Sequence, residues 1–68
     1  MIRCDLLKGK IAERGYSQQG VAEMLGITPK TFYAKMKKGV FDSNEIYAMI
    51  ELLKIDNPSE IFFAKKVS

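Results

Sequence analysis

The hydrophobic positions of this chain recur at helical spacing, and no segment shows the alternation that is typical of a strand. The spacing predicts five helices and no sheet. The first helix covers about Asp5 to Arg14, with Leu6, Leu7 and Ile11 facing inward and Gly15 at its C-terminal stop. The expected fold class is therefore all-α, built from five short helices.

The segment from Ser17 to Gly39 carries the signals for two short helices joined by a tight turn. Ser17 can accept a hydrogen bond from the first helical turn, which places the start of a helix at Gln18. Gly26 follows the apolar stripe of this helix and can supply the positive φ that a helix end commonly needs. The stripe consists of Val21, Ala22 and Leu25.

The second helix of this segment begins soon after the glycine. Thr28 is a good N-cap, and Pro29 stands at the first helical position, where its missing N–H costs nothing. Ile27 can pack on Phe32 as a hydrophobic staple. The turn has room for only about three residues, which is typical of a helix-turn-helix. The motif covers about 17–39, and its second helix about 28–38.

A fourth helix has the clearest start in the chain. Asp42 is its N-cap, Glu45 is the partner of a capping box, and Phe41 can staple the entry. The apolar set of this helix is broad, which predicts that it is buried on more than one side and forms the centre of the bundle. That set comprises Ile46, Met49, Ile50, Leu52 and Leu53.

The last helix begins with Asn57 as its N-cap and Pro58 at its first position. Two adjacent phenylalanines follow. Because neighbouring helical residues point about 100° apart, a domain this small can hardly bury both rings, and an exposed ring implies a partner. We therefore expect this helix to supply a homodimer contact through one of the two phenylalanines, with the neighbouring apolar residues beside it. The predicted dimer residues are Ile61, Phe62, Phe63 and Val67.

Composition narrows the function classes. The chain has 68 residues, 47% hydrophobic and 28% charged, which predicts one globular domain over residues 1–68. It has no apolar run of transmembrane length and no signal-peptide pattern, so we expect a cytoplasmic location and no membrane partner. One cysteine and no histidine leave no zinc site and no intramolecular disulfide, and we expect neither metal nor cofactor. Cys4 is expected to be a buried small hydrophobe.

The basic residues concentrate on the motif. The formal net charge is +3, and five of the eleven basic residues fall between residues 14 and 38, where Glu23 is the one acid. Five of the eight acids lie between residues 42 and 60. One face should therefore be positive, as expected where a protein meets DNA phosphates. The five basic residues are Arg14, Lys30, Lys35, Lys37 and Lys38.

The motif resembles the helix-turn-helix of the phage repressor and Cro family, the XRE-like transcriptional regulators. The resemblance implies a compact five-helix, lambda-repressor-like DNA-binding domain. The remainder of the chain is similar to small regulators of Gram-positive prophages, in Phe41 to Ile46 and in Ile61 to Phe63. The positions that match the family pattern are Ser17, Gln18, Val21, Ala22, Leu25, Gly26, Ile27, Thr28, Thr31 and Phe32.

The sequence departs from the family pattern in two ways. Many members pair an arginine in the first helix with a glutamate near the end of the recognition helix, whereas Ile11 and Met36 stand at these positions here. An apolar pair can replace a buried ion pair, because desolvating two charges can cost as much as their attraction returns. Lys35 stands where the family usually has an apolar residue, which predicts that the buried anchor shifts to Met36.

The resemblance implies that the second helix of the motif enters the major groove, and it assigns contacts by position. The residues expected to face bases are Pro29, Lys30, Thr31, Tyr33, Ala34 and Lys37. Lys30 can donate to guanine O6 and N7. Tyr33 could instead belong to the core, because it flanks Phe32. The residues expected at phosphates are Ser17, Gln18, Lys35, Lys38, Ser43 and Asn44.

The leading hypothesis is a sequence-specific, double-stranded DNA-binding regulator that forms a homodimer at least on DNA. It is either a short Cro-like regulator or an isolated DNA-binding domain. The alternative is a protein-interaction module, such as an antirepressor or antitoxin-like adaptor, that reuses the fold without reading DNA. An enzyme with a small-molecule substrate is not expected, because the sequence has no histidine, no glycine-rich phosphate loop and no convincing carboxylate pair.

Overall fold

The structure, a computed structural model, describes residues 2–63 of the chain. These residues form five α-helices and no strand, so the predicted all-α, five-helix fold is confirmed. The helices are α1 (Cys4–Glu13), α2 (Gln18–Leu25), α3 (Pro29–Lys38), α4 (Ser43–Leu52) and α5 (Pro58–Phe62).

Side-chain caps begin three of the helices where the sequence predicts them. Ser17 caps α2, Thr28 caps α3 and Asp42 caps α4, each by accepting a hydrogen bond from a backbone N–H three residues further on. The Glu45 carboxylate completes the predicted capping box by accepting the backbone N–H of Asp42. These hydrogen bonds satisfy N–H groups that have no partner within the helix, which fixes the three starts locally.

The first and last helices differ from the prediction in detail. α1 begins at Cys4 rather than Asp5 and ends at Glu13, and Gly15 beyond it has a φ of 80°. The Asn57 side chain makes no capping hydrogen bond to α5, so that predicted cap is wrong. Its backbone, at φ −123° and ψ 72°, lies outside the extended conformation that the caps of α2, α3 and α4 share.

Helix α2, rather than α4, is the centre of the bundle. It packs against α1, α3 and α4, and its Val21 and Ala22 are fully buried. The prediction for α4 is wrong because only Met49 and Leu53 of its apolar set are buried, while the others are half-buried. The small side chain of Ala22 allows neighbouring helices to approach α2 closely.

The interior confirms the predicted shift of the anchor in α3. Met36 is 5% exposed and Ile11 is 2% exposed, whereas Lys35 is half-buried. Cys4 is half-buried rather than buried, and its Sγ donates to the carbonyl oxygen of Met36 at 3.0 Å. This hydrogen bond ties the start of α1 to the second half of α3.

Arg14 holds the end of α1 against the end of α4. Its Nε donates to the carbonyl oxygen of Leu53 at 2.8 Å, and its Nη2 donates to that of Lys54 at 3.1 Å. These carbonyls lie just past the C-terminus of α4, where a positive charge is favourable. Arg14 therefore stabilises the fold, although it falls in the basic segment of the sequence.

Candidate nucleic-acid interface

A turn of three residues, from Gly26 to Thr28, sets the angle between α2 and α3. Gly26 has φ 76° and ψ 24°, a left-handed conformation that glycine adopts readily. The N–H of Ile27 donates to the carbonyl oxygen of Ala22 at 3.1 Å, which closes the end of α2. The two helices and their three-residue turn have the short connection of the predicted helix-turn-helix.

Helix α3 has a buried face and an exposed face. Phe32 and Met36 anchor it, with 0% and 5% of their surfaces exposed. Pro29 is half-buried, whereas the other residues predicted to face bases are exposed. These exposed residues are Lys30, Thr31, Tyr33, Ala34 and Lys37, and Lys38 follows them. The fold therefore leaves nearly all the predicted base contacts open to a ligand.

Tyr33 belongs to the surface and not to the core. It is 49% exposed, and its ring meets Phe32 edge to face, with 6.3 Å between the ring centroids and 73° between the planes. Such a contact orients an aromatic ring. The contact thus holds the Tyr33 ring on the exposed side of α3. Lys30, three residues before it, and Lys37, four residues after it, lie on the same face of the helix.

Thr28 fixes the hydroxyl group of Thr31. The Oγ1 atom of Thr28 accepts the N–H of Thr31 at 3.2 Å and donates to its Oγ1 at 2.9 Å. The hydroxyl proton of Thr31 is left to donate elsewhere. No acidic residue stands in the first turn of α3, so this free donor suits an acceptor on a base edge or a phosphate.

Three of the four lysines of α3 form no ion pair with a described residue, namely Lys30, Lys37 and Lys38. The fourth, Lys35, pairs with Glu45, whose side chain is 8% exposed. Glu45 also accepts the backbone N–H of Asp42 at 2.9 Å, so both of its carboxylate oxygens are engaged. The Lys35 ammonium group is therefore held against Glu45, whereas Lys38 has no ion-pair partner among the described residues.

Two ion pairs lie at and before the first helix. Asp5 accepts two hydrogen bonds from the Arg3 guanidinium, at 2.9 and 3.2 Å, and they lower the pKa of its carboxyl group. Lys10 donates to Glu13 at 2.9 Å and lowers the pKa of that carboxyl group. Both acids stay ionised beside their cations, so Arg3 and Lys10 are neutralised locally while α3 keeps its positive charge.

The predicted phosphate contacts outside α3 lie at two helix starts. Ser17 and Gln18 begin α2, whose first turn carries no acidic residue, so its free backbone N–H groups favour an anion. Ser43 and Asn44 are exposed at the start of α4, but the capping box places two carboxylates there. Of these two places, the start of α2 offers the better electrostatic site for a phosphate.

The predicted dimer residues separate into buried and exposed members. Ile61 and Phe62 are 5% and 3% exposed and belong to the core, which corrects their assignment to a dimer surface. Phe63 is 56% exposed. Val67 lies outside the described residues. Phe63 is therefore the predicted dimer residue that the described surface presents.

Comparison with known proteins agrees with this geometry. A family model described as "Bacterial regulatory protein, Fis family" matches residues 4–39, more than half of the chain. The chain belongs to the Fis family. No curated protein and no solved structure matches it.

The matched span of this Fis-family chain comprises α1, α2 and α3 and ends at the glycine that closes α3. The chain is therefore a helix-turn-helix DNA-binding regulator. Within residues 2–63, no helix is long and apolar enough to cross a membrane. Among the same residues, no three His, Cys, Asp or Glu side chains lie close enough together to hold a metal ion.

Proposed function

We propose that this Fis-family chain is a sequence-specific transcriptional regulator of the phage repressor or Cro type, which acts on double-stranded DNA in the cytoplasm. The observation that carries the proposal is the exposed side of α3, where lysines without an ion-pair partner among the described residues stand with Thr31, Tyr33 and Ala34. In helix-turn-helix proteins the N-terminal residues of the second motif helix contact base edges, while the first helix crosses the backbone. Helix α3 accordingly enters the major groove of an operator half-site.

Each contact residue has its own role in this proposal. Lys30 donates to guanine O6 and N7, and Thr31 donates to an acceptor on a base or a phosphate. The Tyr33 ring and the Ala34 methyl group offer apolar surface to thymine methyl groups. Lys38, at the end of α3, neutralises a phosphate. Base contacts then supply the specificity, and phosphate contacts supply position and affinity.

One feature supports the phage repressor type. Helices α4 and α5 follow the motif beyond the matched residues, and their apolar side chains belong to the same core. Ile11 and Met36 are both buried, but they depart from the ion pair that many regulators of that type hold at these positions. A symmetric operator requires a twofold protein, and the exposed Phe63 is the proposed contact between the two copies. The proposal includes no enzymatic activity and no cofactor.

Selection of bound duplexes from a random pool tests the proposed function. We expect the enriched sites to share an inverted repeat. We also expect binding to weaken steeply as salt rises, because lysine contacts release counterions from DNA. If the chain shows no salt-dependent binding to any duplex, the result favours the alternative, a protein-interaction module.

Lys30→Ala and Lys38→Ala should weaken DNA binding in different ways. Lys30→Ala should cost about 1–3 kcal/mol on the selected site and relax its base preference. Lys38→Ala should weaken all duplexes alike and reduce the salt slope by about one. Titrations of both variants on selected and scrambled duplexes, at several salt concentrations, measure the difference. Equal losses on both duplexes for both variants would contradict the assignment of Lys30 to base reading.

Lys35→Met should affect stability rather than DNA binding. The substitution keeps the apolar stem but leaves the buried Glu45 carboxylate without its cation, so we expect a loss of roughly 1–3 kcal/mol in the free energy of unfolding. Lys38→Met, at an exposed position on the same helix, is the matched control and should leave stability nearly unchanged. Denaturant melts and salt titrations of both variants decide this. A lower salt slope for Lys35→Met would mean that Lys35 contacts a phosphate.

A further inference from the structure

A groove runs between α3 and the loop that leads to α4. Its apolar lining includes Ala34, Val40 and Phe41, and three lysines also line it, namely Lys30, Lys35 and Lys38. Val40 is 64% exposed, although it is an apolar β-branched residue. It lies just beyond the span that the family comparison matches. The packing of the core gives no reason for an apolar side chain to be exposed at this position.

The backbone holds Val40 in place. Its N–H donates to the carbonyl oxygen of Lys35 at 3.1 Å, and the preceding Gly39 has the left-handed φ of 70° that turns the chain away from α3. The following residue, Phe41, is buried and packs on Phe32 with 5.5 Å between the ring centroids. The position of Val40 is therefore set by hydrogen bonding before it and by packing after it.

The groove combines apolar side chains with cationic ones, and a sugar–phosphate strand offers an apolar and an anionic surface that would match them. The faces of its deoxyribose rings are largely apolar, and each ring is flanked by charged phosphates. Asp42 also lines the groove, but its carboxylate accepts the N–H of Glu45 at 2.9 Å at the start of α4. The groove is continuous with the proposed DNA-binding side of α3, because both include Lys30, Thr31 and Ala34.

The place of Val40 along α3 favours the DNA backbone over the bases. The ten residues of α3 span about 15 Å at 1.5 Å per residue. In helix-turn-helix complexes the N-terminal residues of this helix contact the base edges. Val40 lies beyond the C-terminus of α3, far along the axis from those contacts, so the sugar–phosphate backbone is the part of the DNA that suits it.

We propose that the side chains of Val40 and Ala34 pack against a deoxyribose of the operator strand, next to a phosphate that Lys38 neutralises. The inference rests on the proposed function and adds a contact that is apolar and independent of base sequence. It assigns a binding role to a residue outside the matched family span.

The test compares wild type with Val40→Ala, Lys38→Ala and Tyr47→Ala. Tyr47 is as exposed as Val40, at 64%, but it lies on α4 outside the groove, which makes it a matched control. Binding is measured on a duplex selected by wild type and on a scrambled duplex of equal length, at several salt concentrations. Thermal melts of every variant check folding, and Val40→Thr, which keeps the side-chain shape, is the second variant at this position.

We expect Val40→Ala to weaken binding to both duplexes by about four- to tenfold, with an unchanged salt slope because no ionic contact is lost. Val40→Thr should weaken binding less, Lys38→Ala should lower the slope by about 0.9, and Tyr47→Ala should bind as wild type does. Wild-type affinity in the folded Val40 variants overturns the inference, and so does a loss confined to the selected duplex, which indicates a base contact. A wild type that binds neither duplex refutes the proposed function itself.

Discussion

Met36→Glu is expected to lower the free energy of unfolding by about 3–5 kcal/mol, because it places an unpaired charge in the core. Met36 is 5% exposed, and Ile11 belongs to the same buried cluster at 2% exposed. Regulators of the phage repressor type often hold an ion pair at these two positions. Adding Ile11→Arg to Met36→Glu should therefore recover part of the loss, since it gives the buried carboxylate a partner.

Denaturant melts of the two single variants and the double variant measure this coupling. Ala34→Glu is a matched control: it places the same side chain on the exposed side of α3 and should change stability by no more than about 0.5 kcal/mol. If the effects of Ile11→Arg and Met36→Glu simply add, the two side chains do not interact.

The two adjacent phenylalanines should respond in opposite ways to truncation. Phe62→Ala is expected to cost about 3–5 kcal/mol of stability, because the ring is 3% exposed and its removal leaves a cavity in the core. Phe63→Ala should leave the thermal melt nearly unchanged, because its ring is 56% exposed. We expect Phe63→Ala instead to weaken self-association and cooperative binding to a full operator.

Sedimentation of the Phe63→Ala variant, combined with titrations on full and half operators, tests the dimer contact. Two half-sites lie about 34 Å apart, one turn of DNA, so the contact between copies should lie at the domain edge away from the recognition helix. Loss of full-site affinity with intact half-site binding supports the contact. The proposed contact at Phe63 is wrong if wild type and Phe63→Ala bind full operators with equal cooperativity.

The sequence by itself determined the helix-turn-helix and the start of α4. Ser17, Thr28 and Asp42 each bind a backbone N–H three residues away, and Gly26 adopts a positive φ between α2 and α3. These interactions span at most a few residues, so the residue types alone predict them. The sequence also predicted which side of α3 is exposed, because the buried positions of Phe32 and Met36 set the rotation of this ten-residue helix about its axis. The one cap that failed, Asn57, begins a helix of only five residues.

The tertiary structure alone decided which residues meet across the bundle. It placed α2 rather than α4 at the centre, buried Phe62 instead of Phe63, turned Arg14 toward the end of α4, and paired Lys35 with Glu45. A lysine at position 35, where the resembling family usually has an apolar residue, indicated an unusual interaction. Its partner could not be predicted from the sequence, because Glu45 lies on another helix. Each of these outcomes depends on the angle and distance between helices, and packing across the whole core sets both.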